Sequence, residues 1–303
     1  MSSATPGPPA TNTTRTAVWT ILDLLRWTTE HFERQGIESA RLDAECLLAF
    51  ALDVERLRLY IDFDKPVNDV ERTAFRELVR RRAASRVPVS QLVGGREFWS
   101  LALLVTPDVL TPRPESETLV SAALDLLPDR AAPVRVLDVG TGSGAIALAI
   151  AKECPRAVIT ATDISQETLK IAQENAERHE MAERIHTLEG DLLEPVSGAK
   201  FDLVVSNPPY LAESERGSLP PELAHEPDVA LFGGADGLAV LTRLASGVGA
   251  LLAPGAGVAL EIAPAQARDV SRMLADAGLA RVEVLRDLGG RPRVVTALQG
   301  STS

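Results

Sequence analysis

Cysteine and histidine are scarce in this 303-residue chain, which has two cysteines and four histidines. Cys46 and Cys154 lie far apart, and neither belongs to a Cys-x-x-Cys pair or a Cys/His cluster. This excludes a disulfide framework and the usual zinc-site spacing, so we expect no bound metal. The two thiols are expected to be buried, in a chain that stays in a reducing cytoplasm.

An excess of positive charge is also missing, because the formal net charge is −11. A broad basic surface for duplex DNA is therefore not expected. The most basic cluster consists of Arg76, Arg80, Arg81, Arg82 and Arg86. It fits a solvated helix C-terminus, where the macrodipole favours cations. The alternative is a docking surface for an acidic or RNA-like partner.

The chain has no uninterrupted apolar run of membrane-spanning length. Its most apolar long stretch, Ser246 to Leu260, is broken by Gly and Pro, which predicts helix, turn and strand. The first 16 residues are rich in Ser, Thr, Pro and Ala and lack an apolar core. This predicts a disordered tail rather than a signal peptide, and no association with a membrane.

The length predicts two domains, at about 150 residues per domain. Residues 17–87 show helical periodicity and predict a small bundle of four helices. Asn68 and Glu71 have the spacing of a capping box that opens the fourth helix. The first helix is expected to bury one face, made of Val18, Ile21, Leu22, Leu25 and Phe32. The second is expected to carry Leu42, Cys46, Leu47 and Phe50.

After residue 87 the pattern changes twice. Residues 88–114 predict a β-hairpin linker, with strands at Glu97–Trp99 and Leu101–Val105. Residues 115–303 alternate between strands and helices, which predicts an α/β fold with a seven-stranded, mostly parallel, Rossmann-like sheet. The expected strands are Val134–Val139, Val158–Asp163, Ile185–Glu189, Phe201–Ser206, Gly257–Ile262, Arg281–Arg286 and Val294–Ala297.

The first of these strands leads into a glycine-rich turn and a helix. Asp138 precedes Gly140, Gly142 and Gly144, where glycine allows close backbone approach to a ligand. Dinucleotide folds have a different glycine spacing, so the ligand need not contain a pyrophosphate. Asp163 and Asp191 end the next two strands, where acids can hold ribose hydroxyls and an adenine amino group.

Asn207-Pro208-Pro209-Tyr210 ends the fourth strand of this series. The Asn207 side chain offers a carbonyl acceptor, and the two prolines fix the direction of the Pro208 carbonyl. Two fixed acceptors can hold both hydrogens of a planar NH₂ group, while Tyr210 packs against its flat face. A loop that merely stops the sheet would not need this combination.

Residues 115–298 thus resemble the class I S-adenosylmethionine-dependent methyltransferases. The resemblance implies S-adenosylmethionine as cofactor, with S-adenosylhomocysteine as product. It implies a cofactor site made of Asp138, Gly140, Thr141, Gly142, Ser143, Gly144, Asp163, Ile164, Asp191, Leu192 and Asn207. It also implies that Asn207, Pro208 and Tyr210 are catalytic, and that Asn207, Pro208, Pro209 and Tyr210 bind the substrate.

Further motifs narrow the resemblance to the release-factor glutamine N5-methyltransferases, also called the HemK family, over about residues 17–298. They are Ala40–Leu48, Ser90–Trp99, Val109–Glu117, His225–Pro227, Gly233–Leu238 and Gly290–Val295. Two departures are Ser116, where the family usually has threonine, and Leu192, where an aromatic residue is common. The family implies a substrate, the glutamine in the Gly-Gly-Gln loop of class I peptide-chain release factors. The helical domain would help to bind the release factor. The protein is expected to be a monomer. Arg113 and Glu117 are expected to shape the domain junction, either as structural salt-bridge residues or as part of the site.

Two other classes of methyltransferase use the same chemistry on different substrates. A ribosomal-protein glutamine N5-methyltransferase would use the same loop. A DNA adenine-N6 methyltransferase would also share it, but needs a basic target-reading region that this sequence lacks. A non-catalytic cofactor-binding module would require a degraded site, whereas every expected residue is present.

Overall fold

The computed structural model describes residues 18–300. Contacts between Cα atoms divide the chain into two units, with the division between Val89 and Ser90. The tail predicted for residues 1–16 lies outside the described residues.

The first unit is helical. Its helices are α1 (Ile21–Arg34), α2 (Ala40–Ala51), α3 (Arg58–Ile61) and α4 (Asp69–Ser85), and a short helix, α5 (Val89–Val93), begins at the division. The predicted capping box is confirmed, because Asn68 Oδ1 accepts from Glu71 N at 3.0 Å and the Glu71 carboxylate accepts from Asn68 N. The core includes the buried side chains of Leu25, Phe32, Leu47, Leu48 and Leu59.

Part of the predicted buried face of α1 was wrong. Val18 precedes α1 and is exposed, while Leu22 is only half-buried. Helix α2 buries Ala40, Ala44, Leu47 and Leu48, which follow one another at helical spacing. Leu42, Cys46 and Phe50 form a separate row at i, i+4 and i+8. Leu42 and Phe50 are therefore exposed, and Cys46 is half-buried, whereas Cys154 is buried as expected.

The basic cluster is largely held by partners within this unit. The Arg82 guanidinium donates to Asp43 at 2.7 Å, and both side chains are buried. Arg80 pairs with Glu77 at 2.6 Å, and Arg86 donates to the Gln35 carbonyl at 3.0 Å. Helix α4 continues past Arg82 to Ser85. The interpretation as a solvated helix C-terminus is therefore wrong for Arg82, which is buried in an ion pair.

The second unit begins with an antiparallel hairpin of β1 (Gly95–Phe98) and β2 (Leu101–Leu104). Trp99, predicted in the first strand, lies instead in the two-residue turn with Ser100, where φ is 51° and 55°. This turn type matches the twist of a hairpin. Glu117 accepts from Trp99 N at 3.1 Å and Glu153 accepts from the Trp99 indole at 2.9 Å, which holds the turn in place.

A seven-stranded sheet follows, as predicted. Its strands are β3 (Arg135–Val139), β4 (Val158–Asp163), β5 (Ile185–Glu189), β6 (Phe201–Ser206), β7 (Leu252–Glu261), β8 (Ala280–Arg286) and β9 (Pro292–Leu298). Their order in space is β5-β4-β3-β6-β7-β9-β8. The first five pair in parallel, and β9 is antiparallel to both of its neighbours.

Helices cover both faces of this sheet. They are α6 (Glu117–Asp125), α7 (Ala145–Glu153), α8 (Gln166–Arg178), α9 (Asp228–Leu231), α10 (Ala239–Val248) and α11 (Ala267–Asp276). Short 3-10 helices span Pro114–Ser116, Glu194–Val196, Glu213–Ser218, Pro221–His225, Gly249–Leu251 and Pro264–Gln266. One hydrophobic cluster joins the sheet to α6 and α7, and a second joins it to α10 and α11. The three-layer α/β fold class is therefore confirmed.

Candidate active site

A cavity of about 290 Å³ opens at the carboxyl ends of the parallel strands. From β3 the chain continues to β4 and β5 on one side of the sheet, and β6 then lies on the other side of β3, so the strand order reverses between β3 and β6. Open α/β sheets bind ligands in the crevice at this point. Ten predicted site residues line it: Gly140, Thr141, Gly142, Ser143, Asp163, Ile164, Asp191, Leu192, Asn207 and Pro209. Asp138, Gly144, Pro208 and Tyr210 are not among its lining residues.

The glycine loop is bent by left-handed backbone at Gly140 (φ 69°) and Gly142 (φ 57°). A Cβ atom at either position would meet nothing within 4 Å, so the glycines are needed for their conformation and leave open space. Gly140 N and Thr141 N donate to the Thr162 carbonyl at 2.8 and 2.9 Å. The loop after β3 is therefore attached to the end of β4.

Asp163 receives two backbone hydrogen bonds at the end of β4. Its Oδ2 accepts from Gly142 N at 3.1 Å, and its Oδ1 accepts from Ser165 N at 3.1 Å. Burial raises the pKa of this carboxyl above its ordinary value, while the backbone donors counteract that rise. These bonds fix the carboxylate at the cavity wall, where it can accept from ligand hydroxyls.

Asp138 is fully buried beside the loop. Thr141 Oγ1 donates to its Oδ2 at 2.7 Å, and its Oδ1 has no hydrogen-bond partner. Burial raises the pKa of Asp138 to about 7, and the charge of Asp163 acts in the same direction. An unpaired buried carboxylate oxygen is costly in a protein interior and is typical of a functional site.

The third predicted acid, Asp191, has a protein partner. Arg243 of α10 donates to its Oδ2 at 2.7 Å. The Arg243 side chain is 52% exposed and the Asp191 side chain is 37% exposed. Leu192, next in the chain, has φ of 52°, an uncommon conformation for a branched side chain. Thr162 Oγ1 donates to the Leu192 carbonyl at 3.3 Å. This segment forms an apolar and acidic part of the cavity wall.

The Asn207 side chain is held in one direction. Its Nδ2 donates to Ser116 Oγ at 3.1 Å, and its Oδ1 accepts no hydrogen bond from any residue that the structure describes. Strand β6 runs beside β3, and Ser206 Oγ donates to the Val139 carbonyl at 2.7 Å. Asn207 therefore presents a free acceptor beside the glycine loop.

The backbone of the Asn207–Tyr210 loop is supported by a second glycine-rich segment. A Cβ atom at Gly233 would collide with the Pro209 carbonyl, and one at Gly237 would collide with the Tyr210 carbonyl. Gln266 Nε2 donates to the carbonyls of Tyr210 and Gly237 at 2.9 and 3.1 Å. This contact explains the Gly233–Leu238 motif, because only glycine permits such close approach.

The Tyr210 hydroxyl donates to Glu261 Oε1 at 3.4 Å, and Tyr210 does not line the cavity. Glu261 ends β7, is 1% exposed and has no hydrogen-bond partner for its Oε2. Burial raises the pKa of Glu261 to about 7, while the nearby Ser116 hydroxyl and Arg293 lower it. Burial also raises the pKa of Tyr210, and the charge of Glu261 adds to that rise.

Arg113, predicted to have either a salt-bridge role or a site role, forms a salt bridge within the second unit and also lines the cavity. Its Nη2 donates to Glu226 Oε2 at 2.5 Å, and Thr111 N donates to Glu226 Oε1 at 3.3 Å. Gln91 donates to the neighbouring His225 carbonyl at 2.8 Å. The motifs around residues 91, 113 and 226 therefore meet at one place, and Glu117 instead holds the hairpin turn.

Several functional candidates were missed at the level of sequence. They are Phe98, Asp108, Val109, Ser116, Thr168, Val229, Phe232 and Arg243, which line the cavity, and Glu261, which adjoins Tyr210. A signal existed for Glu261, because it is an acid at the carboxyl end of a buried strand, like Asp163. No such signal marks Arg243, which is a surface residue in the middle of a helix.

Within residues 18–300, no group of three or more Cys, His, Asp or Glu side chains is arranged to hold a metal ion. Over the same range, no helix has the length and apolar character required to cross a bilayer.

Comparison with known proteins gives consistent matches. A family model described as the methyltransferase small domain matches residues 118–231, and the PrmC N-terminal domain matches residues 23–94. The catalytic domain of hMettl16 has the same fold, with a TM-score of 0.54 at 14% identity over 78% of this chain and 83% of that one.

Two curated relatives match along nearly their whole length. The release factor glutamine methyltransferase of Rhodopirellula baltica is 44% identical over 286 residues, which are 92% of this chain and 96% of that protein. That of Geobacter sulfurreducens is 41% identical, over 93% of this chain and 98% of that protein. With both its helical and its α/β parts matched, the chain belongs to the release factor glutamine methyltransferase family.

Proposed function

We propose that the chain transfers a methyl group from S-adenosylmethionine to the side-chain amide nitrogen, N5, of the glutamine in the Gly-Gly-Gln loop of class I release factors. Family membership supports the reaction class. The observation that carries the proposal is the Asn207 amide, which Ser116 holds with Oδ1 free, in the same cavity as the glycine loop and Asp163.

The residues present fit the cofactor. The open space above Gly140 and Gly142 accommodates a ligand pressed against backbone. Asp138, which is buried beside the loop and does not line the cavity, would favour a cationic group such as an ammonium through its charge. Asp163 would hold the ribose hydroxyls, and Asp191 with Leu192 would border the adenine. Thr141, Ser143, Gly144 and Ile164 complete the proposed cofactor set. When bound, S-adenosylmethionine supplies an electrophilic methyl group and leaves as S-adenosylhomocysteine.

The substrate amide would be held by two acceptors, Asn207 Oδ1 and the Pro208 carbonyl. Each would accept one N–H of the glutamine side chain, and Pro209 and Tyr210 would complete the slot. Carboxamide nitrogen is a poor nucleophile because its lone pair is delocalised. The two acceptors stabilise the positive charge that grows on nitrogen as it is alkylated. Alignment of the bound reactants can supply about 7–11 kcal/mol at best.

The partner and setting follow from the same proposal. The helical part, residues 17–87, would help to grip the release factor, residues 88–114 would link it to the catalytic part, and residues 115–303 would carry the methyl transfer. We propose that the protein acts as a cytoplasmic monomer and does not bind DNA directly. The net charge of −11 supports the last point.

The proposal is tested with labelled S-adenosylmethionine and the organism's own release factors. Each factor is supplied as wild type and with the loop glutamine changed to alanine. Asn207→Ala protein is assayed in parallel, with Ser121→Ala as a control, because Ser121 is an exposed serine outside the cavity. We expect label only on factors that keep the glutamine, and at least a hundredfold slower transfer by Asn207→Ala, as for loss of one preorganised polar group.

Two results would contradict the proposal. Label that persists on the factor without its loop glutamine would place the methyl group elsewhere. Label on a ribosomal protein or on DNA, with none on any release factor, would retain the chemistry and overturn the substrate.

A further inference from the structure

The segment that follows the hairpin does more than link two parts of the chain, because it forms part of the cavity. Five of its residues line the cavity, and none belongs to the cofactor or substrate set proposed above. They are Asp108, Val109, Leu110, Pro112 and Arg113. The stretch that contains them, residues 105–113, is called the linker wall here.

Side chains on one face of α8 bind the backbone of the linker wall and of β2. Thr168, Asn175 and His179 share this face, because they follow one another at i, i+7 and i+11. Thr168 Oγ1 donates to the Asp108 carbonyl at 2.9 Å. His179 Nε2 lies 2.9 Å from the Ala102 carbonyl in β2. The helix is therefore joined to this stretch by directional bonds and not only by packing.

Asn175 joins the end of β2 to the glycine loop. Its side chain is 0% exposed, its Oδ1 accepts from Leu104 N at 2.7 Å, and its Nδ2 donates to the Leu104 carbonyl at 3.1 Å. Strand β2 pairs with β1, and Asn175 bonds both backbone groups of Leu104 as a further strand would. Nδ2 also donates to the Ser143 carbonyl at 2.9 Å. One buried amide thus fixes two stretches of backbone relative to each other.

These bonds connect the linker wall to residues of the proposed cofactor site. Ser143 and Thr168 line the cavity themselves. Thr168 N donates to Ser165 Oγ at 3.2 Å, and Ser165 N donates to Asp163 Oδ1 at 3.1 Å. Asp108 is thus connected, through Thr168 and Ser165, to the carboxylate proposed to hold the ribose hydroxyls. The linker wall therefore lies on the side of the cavity where the nucleoside would bind.

We propose that Thr168 and Asn175 are positioning residues, which hold the linker wall in place for S-adenosylmethionine. The inference rests on the cofactor site proposed above. Neither side chain is assigned to touch the reacting atoms. Without either one, a backbone carbonyl loses its donor, and the wall occupies its place in a smaller fraction of molecules. The apparent affinity for the cofactor falls by that fraction.

The first test compares Thr168→Val, which removes the hydroxyl at similar shape, with Thr168→Ser, which keeps it. We expect the dissociation constant for S-adenosylhomocysteine, measured by calorimetry, to rise about fivefold to a hundredfold in Thr168→Val. Thr168→Ser should bind like wild type. The control is Thr73→Val, because Thr73 is an exposed residue of α4 whose hydroxyl donates to a carbonyl of its own helix. Unchanged affinity in Thr168→Val would overturn the positioning role of Thr168.

The second test separates positioning from a general loss of stability. Asn175→Ala is compared with Leu274→Ala, because Leu274 is also 0% exposed but lies on α11 and outside the cavity. Both variants should unfold at a lower temperature. Only Asn175→Ala should bind S-adenosylhomocysteine more than about tenfold more weakly, as for loss of two or more bonds to backbone. Equal losses of affinity in the two variants would overturn the role of Asn175.

Hydrogen exchange of the backbone amides in residues 105–113 tests the linker wall directly. Exchange should be faster in unliganded Thr168→Val than in wild type, and S-adenosylhomocysteine should slow it in wild type and in Thr168→Ser. This comparison and the Thr168 variants decide the proposal if Asn175→Ala does not fold. Wild-type exchange that is the same with and without S-adenosylhomocysteine would remove the linker wall from the cofactor site and overturn the proposal.

The outcomes distinguish this inference from the proposed function. Wild-type protein that binds S-adenosylhomocysteine as expected, with the expected variant effects, but labels no release factor would overturn the substrate and support the positioning roles. Wild-type protein that does not bind S-adenosylhomocysteine would overturn both. Label on the loop glutamine with unchanged affinity in Thr168→Val and Asn175→Ala would support the proposed function and overturn the positioning roles.

Discussion

Carboxylates at the ends of parallel strands are the residues that most distinguish this cavity. Asp163 and Glu261 are the last residues of β4 and β7, and Asp138 is the last residue but one of β3. Burial raises the pKa of all three. Placing such groups in the interior costs stability, and this cost is typical of functional sites. These three buried carboxylates are therefore expected to weaken the fold.

Asp138→Asn tests this cost. The pKa of Asp138 is raised from 3.8 to about 7, so its favourable contribution to stability is present below pH 3.8 and is lost as pH rises through 7. Relative to Asp138→Asn, the wild type should lose up to about 4 kcal/mol of unfolding free energy between pH 4 and 7.5. Urea unfolding at several pH values measures the difference. Parallel pH dependence in the two proteins would contradict the expectation.

Asp163→Asn tests the ribose assignment. The substitution keeps an acceptor but removes the charge, and hydrogen bonds to charged groups contribute about 1.5–3 kcal/mol. We expect the dissociation constant for S-adenosylmethionine, measured by calorimetry, to rise by tenfold to a hundredfold on that basis. Asp276→Asn, at an exposed position of α11, is the matched control. Unchanged affinity in Asp163→Asn would remove Asp163 from the cofactor site.

At the scale of elements, the loop after β6 depends on the backbone that packs behind it. Gly233 leaves no space for a Cβ atom beside the Pro209 carbonyl, whereas Gly217 has nothing within 4 Å. Gly233→Ala must therefore displace the loop that carries Asn207. Overpacking of this kind costs about 1–3 kcal/mol.

We expect Gly233→Ala to lower the unfolding free energy by that amount and kcat by more than tenfold, because a displacement of about 1 Å can cost a hundredfold. Gly217→Ala should be close to wild type in both thermal unfolding and methyl transfer. A Gly233→Ala enzyme with normal kcat would show that the loop tolerates the displacement.

The elements themselves could largely be predicted from periodicity. The bounds of β4, β5 and β6 are those expected, because short apolar runs there end at polar residues. The start of β7 was wrong by five residues, since Pro254 and Gly255 suggested a turn. The structure includes them in the strand, where the pairing with β6 shifts register between Phe201 and Leu203.

The cofactor part of the site could also be predicted, because the glycine loop and its acids are local patterns. Arg243 and Glu261 could not be assigned partners, because Asp191 and Tyr210 lie 52 and 51 residues away from them. The Asn207–Ser116 bond joins residues 91 apart. Such contacts depend on strand order, which periodicity within a segment does not determine.

At the scale of the whole molecule, the cavity is lined by residues between Phe98 and Arg243, all in the second unit. The first unit has its own buried ion pair, between Arg82 and Asp43. Arg82→Ala would leave Asp43 buried without its guanidinium partner, which typically costs about 3–5 kcal/mol.

We expect this variant to unfold at a lower temperature in calorimetry, while its affinity for S-adenosylmethionine stays within about twofold of wild type, since Arg82 lies outside the cavity. Arg76→Ala, on the same helix, serves as the control. A large loss of cofactor affinity in Arg82→Ala would show that the two units are energetically coupled.

The position of β9 has a consequence for how the protein is made. β9 lies between β7 and β8 in the sheet, although it follows both in the chain. Until residues 292–298 have left the ribosome, the outer edge of β7 has no neighbouring strand, and β8 has no strand of the sheet to pair with. Unpaired edges of apolar strands promote association between chains. A nascent chain that pauses before β9 is therefore expected to depend on chaperones, even though every residue of the cavity has already been synthesised.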